Sequence, residues 1–340
     1  MIFSRSRGFV DAGEFKRLAE SCVFIPGVGA IGQSLLQNLV RCGVGRFIIA
    51  DFDTFSTENL ASQVLCTTAS LGLSKVSVAR DFILAVNGSA QVQTYEAEWS
   101  EAATLKNILN QCDVVLPGVD ALGPGMLLYR AAREAKVPIV DFYFAPSPNV
   151  FVTRPGDPTP EERLSYPSLG LGWEQIDKPE IAQDCLLRLS AYVLGILPRM
   201  KFERMALYRF LNLELVPAWP PLVSAAAALM SEQAISVILK RPNVTDYRGF
   251  FLDLTDFTCK RAPAEFSARE QAVYERLKNF AAQPAEAVGK GWFTVSGVAN
   301  RAAKDRSGKR SPKEPAWGRS RKGTRARTIS TPPHPALSIH

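Results

Sequence analysis

Gly27-Val28-Gly29-Ala30-Ile31-Gly32 sets three glycines at the spacing of a phosphate-binding turn. Gly27 permits the tight turn, Gly29 lets a phosphate approach the backbone, and Gly32 lets a following helix pack closely on its strand. The amide groups that open that helix favour an anion. Asp51 stands 19 residues past Gly32 and closes the next apolar run. An acid there can accept hydrogen bonds from both ribose hydroxyls. The glycines alone also fit a structural turn without a ligand, and it is their placement before Asp51 that points to a nucleotide.

The histidines narrow the chemistry further. The two in the chain, His334 and His340, both lie in the last seven residues. Within residues 1–285 this excludes Ser-His and Cys-His nucleophile pairs, His-ligated metals and dehydrogenases with a His acid/base. The work falls to carboxylates, Lys, Arg, Cys, Ser and the backbone. The six cysteines contain no C-x-x-C pair, so neither a structural zinc nor a disulfide scaffold is expected.

The elements that must position these residues alternate. Cys22–Pro26 reads as a strand and Ile31–Val40 as a helix with Leu35, Leu36, Leu39 and Val40 inward. Gly43 suits a left-handed cap at its end. Phe47–Ala50 is the next strand. Lys75–Asn87 is a helix, since Ala79, Phe82, Ile83 and Val86 recur at helical spacing, and Ser74 is its N-cap. Val92–Tyr95 and Asp113–Leu116 are strands, Leu122–Ala135 a helix, and Pro138–Phe142 and Asn149–Thr153 strands. This order predicts an α/β fold: a Rossmann-like doubly wound, mostly parallel sheet with helices on both faces. Arg154–Asp184 is rich in Pro and Gly and reads as a long loop. Leu222–Leu239 is an apolar helix, Phe250–Leu254 and Asp256–Cys259 a strand pair, and Ala268–Ala282 a polar closing helix.

The charge is unevenly placed. From Lys290 onward there are 12 Lys and Arg against 2 Asp and Glu, leaving 28 against 31 in the first 289 residues. Residues 286–340 are too poor in large apolar side chains to offset the entropy of ordering and read as a disordered basic tail. Its charge could contact nucleic acid, although Trp292 and Trp317 show no spacing for base stacking and a solvated extension accounts for it as well. The sequence shows no uninterrupted apolar run of membrane-spanning length and no signal-peptide run at its start. No membrane association and a cytoplasmic location are the expectation.

The segment VFIPGVGAIGQSLLQNLVRCGVGRFIIADFDTFSTENLASQ resembles the ThiF/MoeB/HesA family, which includes the ubiquitin-activating enzymes. The matching features are the glycine turn, Gly43-Val44-Gly45, the Asp51-x-Asp53 strand end, and Asn59 with Gln63 from an Asn-x-x-Arg-Gln segment. Lys75 in LGLSKVSVARDF and Asp120 in DVVLPGVDALGPG fall on the family's later motifs. The resemblance covers residues 3–155 and continues weakly in Pro220–Arg241. It implies a ThiF-type adenylation domain over residues 1–285, with a nucleotide-binding core at 20–155 and an acceptor-side half at 156–285.

The resemblance further implies ATP and magnesium as cofactors, and AMP transfer to the C-terminal carboxylate of a small ubiquitin-like or sulfur-carrier protein, or of a peptide. Gly27, Gly29 and Gly32 would frame the phosphates, Asp51 would hold the ribose, and Lys75 would neutralise phosphate charge. Asn59 and Gln63 would line the pocket, and Asp120 would bind the metal. Asp53 is equally a structural or a functional residue. A homodimer is implied as well. Simpler roles stand beside these: a solvated Lys75, an Asp120 that caps its helix, and loop hydrogen bonds for Asn59 and Gln63. The family's arginine is replaced by Ser62. Cys185 occupies a position where a thioester-forming cysteine could sit, or is a plain thiol. The alternatives in function are an NAD-dependent oxidoreductase on the same fold and a degenerate nucleotide-binding scaffold without catalysis.

Overall fold

A computed structural model describes residues 4–6, 8–96, 98–176 and 178–295. The histidines, Trp317, Phe3 and the basic segment beyond residue 295 lie outside the described residues. In chain order the first half runs α1 (Ala12–Glu20), β1 (Cys22–Pro26), α2 (Ala30–Cys42), β2 (Arg46–Ala50), α3 (Lys75–Val86), β3 (Gln91–Tyr95), α4 (Ala102–Leu109), β4 (Val114–Val115), α5 (Leu122–Ala135), β5 (Ile139–Asp141) and β6 (Asn149–Thr153). The second half runs α6 (Pro160–Arg163), α7 (Trp173–Ile176), α8 (Pro179–Ile196), β7 (Phe202–Glu203), α9 (Arg204–Leu211), α10 (Pro220–Ile238), β8 (Phe250–Asp253), β9 (Thr258–Arg261), α11 (Ala268–Ala281) and β10 (Trp292–Phe293).

Eight strands form one sheet in the order β3-β2-β1-β4-β5-β6-β8-β9. The pairs from β3 to β5 are parallel, and those from β5 to β9 antiparallel. β1 is buried along its whole length, as a central parallel strand covered on both faces must be. Its side chains alternate between two cores. Val23 and Ile25 meet Leu35, Leu36 and Leu39 of α2, together with α3 and α10. Phe24 meets Leu105, Leu128 and Trp99 on the other face. A third cluster joins α8, α9 and α11. α10 is long and apolar enough to cross a membrane by length and composition. In this fold its Ala226, Ala227, Met230 and Ala234 pack in the core shared with α2.

The segment 154–184 differs from the expected loop. Pro160 and Pro179 each stand in the first turn of a helix, where the missing N–H costs nothing. Thr159 and Glu162 form a capping box that starts α6. Arg130 then grips the buried Glu161 through two guanidinium nitrogens, and Arg133 does the same to Glu162. The expected tail boundary also moves. The chain continues past residue 286 into β10, which pairs with β7, and Val288, Phe293 and Val295 are buried in the third cluster. The closing helix α11, expected to be polar, buries Val273, Tyr274, Leu277 and Phe280.

Gly45 explains the second glycine of Gly43-Val44-Gly45. Gly43 takes a left-handed φ of 96° to cap α2. A Cβ on Gly45 would stand 1.9 Å from the Ala19 carbonyl oxygen, because β2 starts directly against the end of α1. Gly45→Ala therefore forces two backbone segments apart. It should destabilise the protein by about 1–3 kcal/mol or more, lowering the thermal unfolding midpoint by several degrees. Calorimetry of the variant against the parent checks this, and an unchanged midpoint would contradict the packing described.

Candidate functional site

The sheet reverses its order between β1 and β4, and a crevice opens there at the carboxyl ends of the strands. Gly27 leaves β1 with a φ of +87°. Its N–H donates to the Ala50 carbonyl at 2.7 Å. A Cβ on Gly27 would lie 2.4 Å from the backbone of Gly118 at the end of β4. A Cβ on Gly32 would lie 2.1 Å from the Gly27 carbonyl oxygen. Gly27 and Gly32 are thus required by backbone packing. Gly29 differs, since a Cβ there would meet open space. It is the N-cap of α2 and supplies no side chain to the free amide groups of the first turn, which leaves them able to face an anion.

Asp51 secures this turn. Its Oδ2 accepts a 2.7 Å hydrogen bond from the Val28 N–H, and its Oδ1 accepts one from the Asp53 N–H. A carboxylate has about four acceptor sites, so capacity for a ribose remains. Lys75 opens α3 with its side chain buried, and its Nζ lies 2.8 Å from Asp53 Oδ2. The Lys75 N–H also donates to the Asp53 carbonyl. This lysine is not a solvated first-turn residue. Ser74 is the N-cap of α3 by position but makes no side-chain cap bond.

Asp120 completes the acidic group. It follows β4, is exposed to solvent, and accepts no side-chain hydrogen bond among the described residues. It does not cap α5, whose N-cap is Ala121. Partial desolvation in the crevice pushes its carboxyl above the usual range, the Lys75 charge opposes this, and the Asp51 and Asp53 charges add to it. Lys75, Asp51 and Asp53 thus all act on the charge of Asp120, and Asp53 alone of the three carboxylates pairs directly with the ammonium. Among the described residues no three His, Cys, Asp or Glu converge as a metal cage.

Asn59 and Gln63 border the turn in different ways. Asn59 Oδ1 accepts from the Ser56 N–H at 3.0 Å, and its carbonyl accepts from the Ser62 and Gln63 N–H groups. Gln63 Oε1 accepts from Gln33 Nε2 at 2.9 Å. Gln33 and Gly118 are the site residues that sequence reasoning missed. Gln33 is fully buried on α2, and a long polar side chain between Ile31 and Leu35 in an apolar helix is the available signal. Cys185 lies on α8, fully buried, with burial pushing its thiol up to about 11. It is a core thiol and is not presented for thioester formation.

A glycine turn at a topological switch point, an acid at the end of the second strand and a buried lysine beside it define a doubly wound domain of the nucleotide-crevice type. The ThiF family model matches residues 3–273, and the chain belongs to the ThiF family. Over 134 residues, 39% of the chain, it is 34% identical to the molybdopterin-synthase adenylyltransferase of Escherichia coli K12, of which it covers 53%. Over 125 residues, 37% of the chain, it is 34% identical to the probable adenylyltransferase/sulfurtransferase MoeZ of Mycobacterium tuberculosis H37Rv, covering 32% of that protein. The chain therefore spans about a third to a half of the length of these relatives. Its fold is similar to E. coli MccB with ATP, at a TM-score of 0.52 and 18% identity over 75% of this chain and 67% of that one.

The desolvation of the Asp120 carboxyl, with the Asp51 and Asp53 charges adding to it, generates a stability prediction. A carboxyl that titrates above its unfolded value binds protons more tightly in the folded state, so its ionisation lowers stability as pH rises through that interval. Without ligand, Asp120→Asn should unfold at a higher temperature than the parent at pH 7. The difference should shrink as pH falls below the ordinary carboxylate range. Paired melts at pH 7 and pH 3.5 check this, and an Asp120→Asn protein less stable at pH 7 would contradict the electrostatics described.

Proposed function

We propose that this chain activates a carboxylate by accepting ATP in the crevice and transferring AMP to the acid. The carrying observation is the convergence of Lys75, Asp53 and Asp120 on the Gly27–Gly29 turn, in a member of the ThiF family. The turn amides and Lys75 receive the phosphates, and Asp51 receives the ribose. Lys75 leaves Asp53 when phosphate oxygens compete for its ammonium. Magnesium bound in nucleotide sites takes one or two carboxylates together with phosphate oxygens, so Asp120, which has no hydrogen-bond partner among the described residues, would hold it. The metal supplies charge neutralisation on the phosphates.

In the reaction a carboxylate oxygen forms a bond to the α-phosphorus, the bond from that phosphorus to the bridging oxygen breaks, and pyrophosphate leaves with the electron pair. No proton has to be removed from the nucleophile. The protein needs only in-line positioning and charge stabilisation, which explains how a crevice without imidazole suits this chemistry. The acceptor we propose is the C-terminal carboxylate of a small ubiquitin-like or sulfur-carrier protein, or of a peptide. The latter is supported by E. coli MccB, whose structure is known with AMPCPP and MccA. A homodimer is part of the proposal. The exposed Phe52, Leu60, Val64 and Leu73 lie on the segment between β2 and α3 that borders the site and suit a covered face.

Ser62 favours a second reading, a nucleotide-binding scaffold without turnover, since an arginine on transferring phosphate contributes strongly to the rate. Thermal unfolding with ATP and magnesium, ADP or NAD separates the possibilities. A ligand at about a hundred times its Kd stabilises by about 2.7 kcal/mol. A shift with ATP and magnesium that Asp120→Ala removes is the expected result, followed by pyrophosphate release on adding a carboxylate acceptor. A shift with NAD alone would sink the proposal in favour of an oxidoreductase. Binding without turnover, restored by Ser62→Arg, would establish the scaffold reading.

A further inference from the structure

The buried amide of Gln33 holds three partners at once. Its Nε2 donates to the Val28 carbonyl at 2.7 Å and to Gln63 Oε1 at 2.9 Å, and its Oε1 accepts from the Leu65 N–H at 2.8 Å. Both donors and the acceptor of a fully buried side chain are thereby engaged. Two of these partners are backbone groups, which have no freedom to exchange donor for acceptor. The Val28 carbonyl demands a donor and the Leu65 N–H demands an acceptor. The orientation of Gln33 is therefore dictated by the chain, and a reversed amide would leave both backbone groups facing like partners in a buried site, at substantial cost.

The consequence falls on Gln63. The second N–H of Gln33 requires an acceptor, so Gln63 must turn its oxygen inward. Its Nε2 is left on the other side, half-buried and with no protein partner among the described residues. Gln63 directly follows Ser62 and is tied through Gln33 to Val28, the middle residue of the glycine turn. The neighbouring N–H of Val28 is held by Asp51.

We infer that Gln33 is a positioning residue that fixes the polarity of the Gln63 amide, so that Gln63 presents two N–H donors to a phosphate oxygen of the nucleotide beside Ser62. The assignment rests on the nucleotide reading above. Gln33 itself touches no ligand; it acts through Gln63.

The test is calorimetric titration of the full chain with ATP and magnesium, and separately with adenosine, which has no phosphate. Gln63→Glu keeps an acceptor for Gln33 and so keeps the internal network, but replaces the outward donors by a carboxylate oxygen. Hydrogen bonds to charged groups are strong enough that ATP affinity should fall about tenfold or more, with adenosine affinity unchanged. Gln33→Glu should reproduce the loss with Gln63 intact, because a carboxylate at residue 33 draws the Gln63 NH2 inward. Should Gln33→Glu fail to fold, Gln63→Glu alone decides the matter. The inference is overturned if Gln63→Glu binds ATP as tightly as the parent, or if adenosine affinity falls in parallel with ATP. A parent protein that binds neither ligand would overturn the nucleotide reading and this inference with it, whereas a parent that binds both and variants that match it would overturn this inference alone.

Discussion

The site depends on a contact between backbones. Where β1 ends, α2 begins and β4 ends, Gly27, Gly32 and Gly118 approach so closely that a Cβ on any of them would penetrate a neighbouring carbonyl. The Gly118 N–H donates to the Pro26 carbonyl and the Gly27 N–H to the Ala50 carbonyl. Three strand ends are thus locked at one level. This contact sets the height of the crevice floor, and with it the place where the first amides of α2 emerge. Side chains could not achieve it, because rotamer freedom would soften the spacing that a phosphate senses. The turn is then gripped at its middle residue, with Asp51 on the Val28 N–H and Gln33 on the Val28 carbonyl.

Electrostatics builds on that floor. Desolvation first, and then the charges of Asp51 and Asp53, make ionisation of Asp120 costly in the crevice, and the Lys75 charge offsets part of that cost. On the proposed reading, a triphosphate accompanied by a divalent cation would be received there more readily than one alone. The Lys75–Asp53 pair bears on the same point. With Asp53 half-exposed and Lys75 buried, the pair keeps the ammonium compensated until a stronger anion arrives, and avoids the cost of an unpaired buried charge. Asp53, which the sequence leaves equally structural or functional, thus has a definite partner in Lys75.

Much of the crevice was legible because its signals are local. The glycine spacing, the apolar runs of β1 and β2 and the periodicity of α2, α3 and α5 are each readable within a dozen residues, and the observed elements fall close to the expected bounds. What escaped depends on distant partners. Arg130 and Glu161 are 31 residues apart, and nothing local in a Pro/Gly-rich stretch announces that an ion pair will hold α6. Proline there was read as a loop signal although it opens α6 and α8. Gln33 stood in plain view on an apolar stripe, but its meaning lay with Leu65 and Gln63, thirty or so residues away. Phe293 and Val295 stand inside a compositionally polar segment and are buried by packing against the distant cluster of α8, α9 and α11.

Ser62 stands where the family resemblance places an arginine, and the proposed site gives that a specific physical meaning. A guanidinium on a transferring phosphate contributes mainly as charge accumulates in the transition state. A neutral amide carries no net charge, so its hydrogen bonds strengthen less as that charge develops. Interactions equal in the ground and transition states improve binding without raising the chemical rate. On the proposed reading, a site with oriented neutral donors in place of an arginine would be weighted toward holding nucleotide. In the proposed reaction the acceleration would have to come from the charges that remain, namely Lys75 released from Asp53 and a cation held at Asp120. Whether the chain turns over therefore depends on how completely those two charges stand in for the one at Ser62, since the framework around them is fixed by backbone packing.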